Sequence, residues 1–525
     1  MSAPGESRLL SALLAGVEGA ALPAGAGEIA VAEVRDDSRQ VQAGDLFVAV
    51  PGTVADGRTF VAAAIARGAR VVVTEGPPAP PPTPHTDAAV FVTVASARQA
   101  LAIIAGNRFG GAAAAPDLMA VTGTNGKTTT TYLVEAMLAA TGLVPGVIGT
   151  VSYRSAAPRW RGGGRAASLT TPGPLALHAL FAEMRAAGTT DIVLEASSQA
   201  LDQRRLDGCR FRVAALTNVT QDHLDYHGSM ERYFDAKAVL FERLLDRARG
   251  VAVFMADDDA GRKMRRRVRG LPALGVTLKA AGADIAVAEH ELSAAGTQAL
   301  FRTPVGDIAV ESPLVGEFNL ANIALAVGMG VGRGLPPRAI ATGVAALAAV
   351  PGRLERVPNQ RGILCVVDYA HTPDALERAI AALRPLTRNR LLVVFGCGGD
   401  RDRGKRPLMG EVAARDGDLA IVTSDNPRTE DPASIVEMVA DGARRALAPA
   451  LEGGELATAT RGYLVEIDRR AAIRLAAAAA RPGDTLLIAG KGHEDYQIVG
   501  TTKLPFDDRL EAAAALREVP GEAAR

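Results

Sequence analysis

The chain has 525 residues, of which 48% are hydrophobic and 22% charged, so its composition excludes a disordered or membrane-embedded protein and is typical of a globular one. Lys and Arg number 58, and Asp and Glu also number 58, so the formal net charge is zero and favours neither nucleic acid nor an anionic membrane as a partner. The length exceeds what one hydrophobic core supports, and it predicts several domains.

Cysteine usage and the absence of a long apolar run predict the compartment. Cys209, Cys365 and Cys397 are far apart, and no CxxC pair occurs, which is typical of reduced thiols in the cytoplasm. The apolar run at 9–14 is short and flanked by acidic residues, so it favours an amphipathic helix over a signal peptide. We therefore predict a cytoplasmic protein with no membrane insertion.

The first part of the chain alternates short apolar runs with helical patterns. Strands are predicted at 29–34, 46–50, 71–74 and 90–94, and helices at 59–67 and 97–107. The glycine- and alanine-rich stretch 110–116 is typical of a linker. It predicts a boundary after a small α/β domain formed by residues 1–112.

A glycine turn between an apolar strand and a helix follows the linker, within residues 117–138. Gly123 and Gly126 would let backbone N–H groups approach phosphate oxygens, and the helix N-terminus adds positive potential. Lys127 could reach the terminal phosphates, and the Thr128 hydroxyl could bind Mg²⁺. The layout predicts a phosphate-binding loop, because strand and helix flank the turn where that mechanism needs them.

Two further predicted strands, 191–195 and 213–217, each run into a cluster of polar residues. Glu195 ends the first, and His223 lies in the polar loop after the second. Both side chains suit Mg²⁺ bound together with ATP, which keeps few protein ligands. His223 alone would equally be an ordinary loop histidine, but the acidic and histidine residues around it favour a site.

The last part of the chain repeats the α/β pattern. Strands are predicted at 364–368, 391–395, 419–423 and 485–489. Each ends in a polar or glycine-rich loop, where ligands bind in open α/β sheets. The predicted fold class is therefore α/β with three domains: the small N-terminal domain, a P-loop central domain with a mainly parallel sheet at 113–350, and a Rossmann-like C-terminal domain at 351–525.

Ordered motifs along nearly the whole chain resemble the Mur ligase family. They are Gly123–Thr128, Glu195–Ser198, Thr217–Asp225, Gly316–Asn322 and Asp368–Pro373. The generic phosphate loop has a glycine where this chain has Val121, and the family resembles this chain in having the shorter turn. The stretches 396–407, 425–428 and 490–497 are similar to those of its diaminopimelate-adding members.

The resemblance implies an ATP-dependent amide-forming ligase of peptidoglycan precursor synthesis. It implies that meso-diaminopimelate is added to UDP-N-acetylmuramoyl-L-alanyl-D-glutamate through an acyl phosphate, because a carboxylate needs a leaving group before an amine can displace it. The expected partners are these small molecules and not nucleic acid, and we expect a monomer.

The resemblance also implies where ATP and Mg²⁺ bind. The matching ATP positions are Gly123, Thr124, Asn125, Gly126, Lys127, Thr128, Thr129, Asn218, Asn319, Asn322, Arg353 and His371. Without the resemblance, Asn319 and Asn322 would be helix N-caps. Closure of the third domain would bring in Arg353 and His371. Catalytic roles fall on Lys127, Glu195, His223 and Lys237, and two Mg²⁺ ions are expected at Thr128, Glu195, His223 and Lys237.

Lys237 matches the lysine that the family carbamylates with CO₂. Carbamylation needs a neutral amine, so burial that lowers the lysine pKa would favour it. The product is an anion that could hold a second Mg²⁺. From the residues alone, Lys237 would be an exposed helix lysine paired with an acid.

The acceptor is expected to bind at loops of the first two domains. By resemblance the nucleotide end meets Asp36, Ser38, Thr53, Val54 and Ala55, and the muramoyl-peptide meets Thr170, Thr171, Ser197, Gln203 and Arg205. Taken alone, the first set would be only turns between strands. Arg205 could pair with a carboxylate or a diphosphate.

The resemblance places the amino-acid substrate in the third domain. The matching positions are Arg401, Asp425, Asn426, Pro427, Arg428, Gly490 and Glu494. Diaminopimelate differs from lysine by one carboxylate, which the Arg428 guanidinium could bind in a bidentate manner. Asp425 and Asn426 could address the ammonium and carboxylate of the same stereocentre. Without the resemblance, this stretch would be a capped turn around Pro427.

Three positions depart from the family pattern, and three other functions compete. Gln199, Leu169 and Met255 stand where relatives often have His, Asn and Asn, at the edges of the acceptor cleft. The alternatives are a folylpolyglutamate-synthetase-like enzyme, a lysine-adding ligase, and a regulatory protein that binds ATP without making a bond. The polar clusters at Glu195, His223 and Lys237 argue against the last.

Overall fold

The computed structural model describes residues 7–52, 55–76, 89–111, 116–161, 164–279, 281–293 and 295–518. Thr53 and Val54, two of the predicted acceptor contacts, lie outside these ranges. The chain forms two compact units. The first unit runs to Val287 and includes 302–308 and 323–343, and the second comprises 288–301, 309–322 and the chain from Val344 onward.

A four-stranded parallel sheet opens the first unit, with the order β3-β4-β5-β6. The elements are β1 Arg8–Leu9, α1 Leu10–Leu13, β2 Ala30–Val31, β3 Val34–Arg35, β4 Leu46–Val48, α2 Val61–Ala66, β5 Val71–Glu75, β6 Val90–Val94 and α3 Ala97–Arg108. The strands are rich in valine, whose branched side chain suits a pleated, buried surface. Helix α3 begins after Ser96, whose hydroxyl accepts the Gln99 N–H.

The predicted single strand at 29–34 is wrong. Strand β2 pairs with β1, whereas β3 joins the four-stranded sheet. Between them the Asp45 carboxylate accepts the Glu33 N–H at 3.1 Å and the Arg35 Nε–H at 3.2 Å. Residues 29–34 are apolar except for Glu33, so the pattern suits a strand, but periodicity does not reveal that the chain changes sheet at this point.

An eleven-stranded sheet organises the middle of the chain as the structure describes it, with the order β10-β9-β8-β11-β7-β12-β13-β14-β15-β16-β17. The strands are β7 Asp117–Thr122, β8 Pro145–Ile148, β9 Ser152–Ser155, β10 Arg165–Ala166, β11 Asp191–Glu195, β12 Phe211–Leu216, β13 Val251–Met255, β14 Ala273–Thr277, β15 Ile285–Ser293, β16 Gly296–Arg302 and β17 Ile308–Ser312. The helices are α4 Lys127–Ala140, α5 Pro174–Ala187, α6 Ser198–Asp202, α7 Leu224–His227, α8 Met230–Val239, α9 Asp259–Arg267, α10 Glu317–Arg333 and α11 Pro337–Ala346.

The strand order brings three polar loops to one edge of this sheet. Strand β7 lies between β11 and β12 and is parallel to both. The register sets Glu195 beside Val121 and Leu216 beside Thr122. The carboxyl ends of parallel strands meet at one edge. The glycine turn, the loop after Glu195 and the loop after β12 are therefore neighbours.

An arginine joins the opposite ends of two of these strands. Arg333, at the end of α10, places NH2 2.8 Å from Asp191 Oδ1 and 3.0 Å from Asp117 Oδ2. Asp191 is buried, so removing the arginine would leave an uncompensated buried charge. This contact fixes β7 against β11 and so helps to align their polar ends.

The second unit contains a six-stranded sheet with the order β18-β19-β23-β20-β21-β22 among the described residues. The elements of the second unit from β18 onward are β18 Glu355–Arg356, β19 Leu364–Asp368, α12 Pro373–Leu383, β20 Leu391–Cys397, α13 Lys405–Asp416, β21 Leu419–Ser424, α14 Pro432–Arg445, β22 Gly462–Val465, α15 Arg469–Ala479, β23 Thr485–Ala489, β24 Tyr496–Val499, β25 Thr502–Pro505 and α16 Asp508–Glu518, with β24 and β25 paired to each other outside the six-stranded sheet. All but β18 are parallel within this sheet.

Helices cover both faces of this sheet. Val393 packs in one core with α12, α13 and α14, and its neighbour Val394 packs in the other with α15 and α16. Continuous apolar strands are what a sheet buried on both faces requires. The predicted three-part α/β fold class is confirmed, and the boundaries at 112 and 350 stay predictions.

Two other sequence expectations concern thiols and membranes. Cys209, Cys365 and Cys397 are all buried and free. No helix within the described ranges is long and apolar enough to cross a membrane.

Candidate active site

The turn after β7 depends on two glycines. Gly123 has φ +143° and Gly126 has φ +87°, conformations that residues with a side chain rarely adopt. A Cβ on Gly123 would lie 1.8 Å from the Thr217 hydroxyl oxygen. The turn therefore needs glycine at 123 both for its backbone and for its close approach to the loop after β12.

Asn218 holds the glycine turn from the neighbouring loop. The Thr124 N–H donates to the Asn218 carbonyl at 2.9 Å, and the Asn125 N–H donates to Asn218 Oδ1 at 3.0 Å. Asn218 Nδ2 donates back to the Asn125 carbonyl at 3.2 Å. The predicted nucleotide residue at 218 is thus a structural partner of the turn.

Lys127 begins helix α4 and lies against the turn that precedes it. Its ammonium donates to the carbonyl oxygens of Gly123 at 3.0 Å and Thr124 at 2.9 Å. The side chain is therefore on the face of the turn, and its positive charge adds to that of the helix N-terminus. This combination favours a polyanion.

Glu195 is buried at the end of β11 and contacts the first turn of α4. The Thr128 hydroxyl lies 3.1 Å from each carboxylate oxygen of Glu195. Thr150 also donates to this carboxylate, from its N–H at 3.0 Å and its hydroxyl at 2.9 Å. A Cβ on Gly149 would lie 2.3 Å from Glu195 Oε1, so the approach requires glycine. The sequence analysis missed Thr150, which no motif marks.

Oxygen donors in this arrangement fit Mg²⁺. A magnesium ion that travels with a nucleotide needs one or two protein oxygens, and Thr128 and Glu195 supply a hydroxyl and a carboxylate. Within the described ranges, no three His, Cys, Asp or Glu side chains form a metal-binding group. Phosphate oxygens and water would complete the shell of an ion held by Thr128 and Glu195.

Among the described residues, His223 contacts Asp222 and Tyr233 rather than Glu195. It has φ +51°, and its Nε2 lies 3.4 Å from Asp222 Oδ2. Its ring packs edge-on to Tyr233 at 6.2 Å between centroids, and the side chain is 47% exposed. His223 therefore contacts two residues, Asp222 and Tyr233, that also interact with Lys237.

Lys237 is buried in α8 beside the glycine turn. Its ammonium donates to the Gly123 carbonyl at 3.0 Å and lies 4.2 Å from the centre of the Tyr233 ring. Burial and then the Lys127 charge lower the pKa of Lys237 well below its ordinary value, and Asp222 opposes the shift. The alternative of an exposed lysine is wrong, because the side chain is 1% exposed.

The predicted muramoyl-peptide residues form one hydrogen-bonded group. The Thr171 hydroxyl donates to the Glu195 carbonyl at 2.7 Å and accepts the Ser197 N–H at 3.1 Å. Arg205 donates from NH1 to the Thr171 carbonyl at 2.8 Å and from NH2 to Gln203 Oε1 at 2.7 Å. The Thr170 and Thr150 hydroxyls, 3.1 Å apart, extend the group to the Glu195 carboxylate.

A second arginine lies near Arg205, and the sequence offered no signal for it. Arg98, in the first turn of α3, donates to the Pro51 carbonyl at 2.6 Å. Burial mainly lowers the pKa of Arg205, and the Arg98 charge adds to this effect. None of the described residues forms a salt bridge with either guanidinium, so together they are suited to an anion. Of the predicted nucleotide-end residues, Asp36 and Ala55 are exposed and Ser38 is half-buried.

The predicted amino-acid residues of the second unit surround a lysine that the sequence analysis did not single out. Lys491 is fully buried and lies 3.1 Å from Asn426 Oδ1, 3.3 Å from Glu494 Oε2 and 3.4 Å from Asp425 Oδ1. Asn426 Nδ2 donates to the same Glu494 oxygen at 2.9 Å. The motif at 490–497 contains this lysine, but only the fold shows its partners.

Arg428 lies next to this group with an unusual backbone. It has φ +53° and pairs in a short bridge with Val499. Its NH1 donates to the Gly399 carbonyl at 2.8 Å, and no described residue accepts from its Nε or NH2. The guanidinium therefore keeps a fork of donors for a planar anion. Arg401, also predicted here, is exposed and lies beside Gly398.

The remaining predicted ATP residues belong to the second unit. The Arg353 guanidinium lies 4.9 Å from the centre of the Tyr369 ring. His371 Nδ1 lies 2.9 Å from the Tyr369 carbonyl, and Lys405 donates to the His371 carbonyl at 2.8 Å. Asn319 Nδ2 donates to the Val315 carbonyl at 2.8 Å rather than capping a helix N-terminus, and the Asn322 amide lies 3.3 Å from Asn319 Oδ1.

Three family models match consecutive parts of the chain. They are the catalytic domain of the Mur ligase family at residues 31–109, the Mur ligase middle domain at 121–330, and the Mur ligase glutamate ligase domain at 352–492.

Individual proteins and solved structures agree with these matches. A UDP-N-acetylmuramoyl-L-alanyl-D-glutamate–2,6-diaminopimelate ligase of Geobacter metallireducens is 45% identical over 92% of this chain and 93% of its own length. A solved structure of a ligase with the same name is 34% identical, covers 95% of this chain and 97% of its own, and has a TM-score of 0.68. The MurF ligase of Thermotoga maritima in complex with ADP, 20% identical over 93% of this chain and 96% of its own with a TM-score of 0.57, shares the fold. The chain therefore belongs to the Mur ligase family.

Proposed function

We propose that this protein uses ATP to join meso-diaminopimelate to UDP-N-acetylmuramoyl-L-alanyl-D-glutamate in peptidoglycan precursor synthesis. The name of the Geobacter metallireducens relative, which matches 92% of the chain, supports the two substrates. The observation that carries the chemistry is the sheet edge where Lys127 and Lys237 both donate to the Gly123 carbonyl, close to the Thr128–Glu195 pair. A cation on the phosphate-binding turn, Lys127, and a magnesium-binding pair are groups that stabilise phosphoryl transfer.

In the first step the terminal D-glutamate carboxylate attacks the γ-phosphorus of ATP. The bond from that phosphorus to the ADP oxygen breaks, and an acyl phosphate and ADP form. The negative charge of the phosphoryl group during its transfer is spread over its oxygens, and the Lys127 ammonium on the glycine turn can neutralise part of it. Mg²⁺, held by Thr128 and Glu195, would supply further charge neutralisation when bound.

In the second step the neutral amine of diaminopimelate attacks the acyl carbon. The amide bond forms, inorganic phosphate leaves with the bonding electron pair, and the nitrogen loses a proton. The proposed amine site comprises Arg401, Asp425, Asn426, Pro427, Arg428, Gly490 and Glu494. Its role is to hold the far end of the diamino acid so that one amine points at the acyl carbon.

Other assignments are part of the same proposal. Asn319, Asn322, Arg353 and His371 would contact ATP, and Asp36, Ser38, Ala55, Thr170, Thr171, Ser197, Gln203 and Arg205 would contact the acceptor. Lys237 would act as a carbamate and, with His223, would serve a second Mg²⁺. The protein would act as a cytoplasmic monomer with domains at 1–112, 113–350 and 351–525.

Phosphate release in the presence of matched substrates tests the proposed function. With ATP, Mg²⁺ and UDP-N-acetylmuramoyl-L-alanyl-D-glutamate, we expect release and tripeptide formation with meso-diaminopimelate and far less with L-lysine or L-glutamate. Preference for L-lysine would replace the proposal with a lysine-adding ligase, and preference for L-glutamate on a folate acceptor with a folylpolyglutamate synthetase. Release without any acceptor would indicate a plain ATPase.

Replacing Arg428 by lysine tests the basis of amine choice. Lysine keeps the charge but loses the bidentate fork, so kcat/KM for meso-diaminopimelate should fall about tenfold to a hundredfold. The KM for ATP should stay the same, because the substitution lies outside the proposed ATP site. Steady-state kinetics with each substrate varied in turn provide the measurement. An unchanged kcat/KM for diaminopimelate would remove Arg428 from the amine site.

A further inference from the structure

Lys491 is fully buried, and it lies among residues of the proposed amine site. It follows β23, between Gly490 and Gly492, with its ammonium facing Asp425, Asn426 and Glu494. The ring of Tyr496 lies on another side, 5.6 Å from the ammonium nitrogen. A buried ammonium is stable only when its donors are paired, and these partners meet that need.

Lys491 contacts only one of the two oxygens of each neighbouring carboxylate. It contacts Asp425 Oδ1 and Glu494 Oε2. No described residue donates a hydrogen bond to Asp425 Oδ2 or Glu494 Oε1. The two carboxylates and the ammonium carry a combined charge of minus one, so this group can still accept a substrate ammonium through its remaining oxygens.

We propose that Lys491 determines amine specificity by setting the charge of this pocket. The inference rests on the proposed function, in which the amine substrate binds to Asp425, Asn426, Arg428 and Glu494. With Lys491 present, a group of charge minus one lies next to the positive charge of Arg428, and the nearby buried Arg469 adds no net charge because Asp508 neutralises it at 2.7 Å. That pair matches the far end of diaminopimelate, which carries one ammonium and one carboxylate. Lysine offers a lone ammonium there, which Arg428 repels.

Without the lysine the balance would favour the wrong substrate. Two adjacent carboxylates would carry a charge of minus two and would outweigh the repulsion from Arg428. The extra attraction acts on any ammonium, but it also repels the second carboxylate of diaminopimelate. Lys491 therefore contributes to specificity, because it lowers the attraction of the pocket for the side-chain ammonium of L-lysine and preserves its attraction for the zwitterionic end of diaminopimelate.

Two variants of opposite charge test this proposal. Lys491→Met raises the negative charge of the group, and Glu494→Gln removes it. Lys503→Met is the matched control, because the Lys503 ammonium lies 3.6 Å from the centre of the same Tyr496 ring and, within the part of the chain that the structure describes, forms no salt bridge with Asp425 or Glu494. Each enzyme is assayed for kcat/KM with meso-diaminopimelate and with L-lysine, and binding of both amines is followed by calorimetry.

We expect Lys491→Met to lower the ratio of kcat/KM for meso-diaminopimelate over L-lysine by about tenfold or more, with unchanged KM for ATP and acceptor. Glu494→Gln should raise this ratio while lowering both rates, and Lys491→Met with Glu494→Gln should return it toward the wild type. Lys503→Met should leave the ratio unchanged.

The opposite shifts separate charge from simple structural support, which would lower use of both amines alike. If Lys491→Met does not fold, the shift in Glu494→Gln and in the double variant still decides. A ratio that stays constant across these variants would overturn the role of Lys491. A wild-type enzyme that uses neither amine would instead overturn the proposed function.

Discussion

Replacement of Lys237 by alanine is expected to lower kcat for tripeptide formation by about a hundredfold to a thousandfold. The side chain is buried beside the glycine turn, with its ammonium 3.0 Å from the Gly123 carbonyl. If it acts as a carbamate, alanine removes an anion that would hold a magnesium ion against the reacting phosphoryl group. Steady-state assays of phosphate release and tripeptide formation measure the loss.

A carbamate on Lys237 would make the activity depend on both CO₂ and pH. Burial and the Lys127 charge lower the pKa of Lys237. A lowered pKa means that the ammonium loses its proton at a lower pH than an ordinary lysine, so the neutral amine that reacts with CO₂ is present nearer neutrality. Wild-type activity should therefore fall in CO₂-depleted buffer, more steeply as the pH decreases, and should return when bicarbonate is added.

Two control variants show whether the loss of activity and the CO₂ response belong to Lys237. Lys237→Ala should be insensitive to CO₂, whereas replacement of the exposed Lys263 by alanine should retain both full activity and the CO₂ response. Full activity of Lys237→Ala, or a wild-type enzyme indifferent to CO₂ at every pH, would contradict the carbamate.

Replacement of Lys127 by methionine is expected to reduce phosphoryl transfer by about a hundredfold to a thousandfold, with a smaller effect on acceptor binding. Methionine keeps the helix propensity and length of the side chain but removes its charge. The ammonium lies within 3.0 Å of the carbonyls of the turn, so its role is local to the phosphate cradle. The KM for meso-diaminopimelate should remain near the wild-type value.

Single-turnover measurement of ADP formation isolates this step from amine addition. The Lys263→Met variant serves as the control, since that lysine is exposed and pairs with Asp259 on α9. ADP formation at the wild-type rate in Lys127→Met would show that the lysine does not act on the transferring phosphoryl group.

The chemistry that the sequence predicts depends on local patterns. The strand, the glycine turn and the helix around Lys127 occupy one continuous stretch, and backbone sterics require glycine where φ is positive. Strands such as Asp191–Glu195 and Thr485–Ala489 appear where the apolar runs predict them. Sheets buried on both faces produce uninterrupted apolar runs, which is why these strands were recognisable.

The sequence by itself determined the α/β class, the buried strands and the chemical types gathered at their ends. Only the tertiary structure decided that Thr150 supports Glu195 and that Lys491 is enclosed by two carboxylates. These contacts join residues that are distant in the chain. The charge, burial and hydrogen bonding of a side chain are set by the neighbours that the fold brings to it, and no local pattern carries that information.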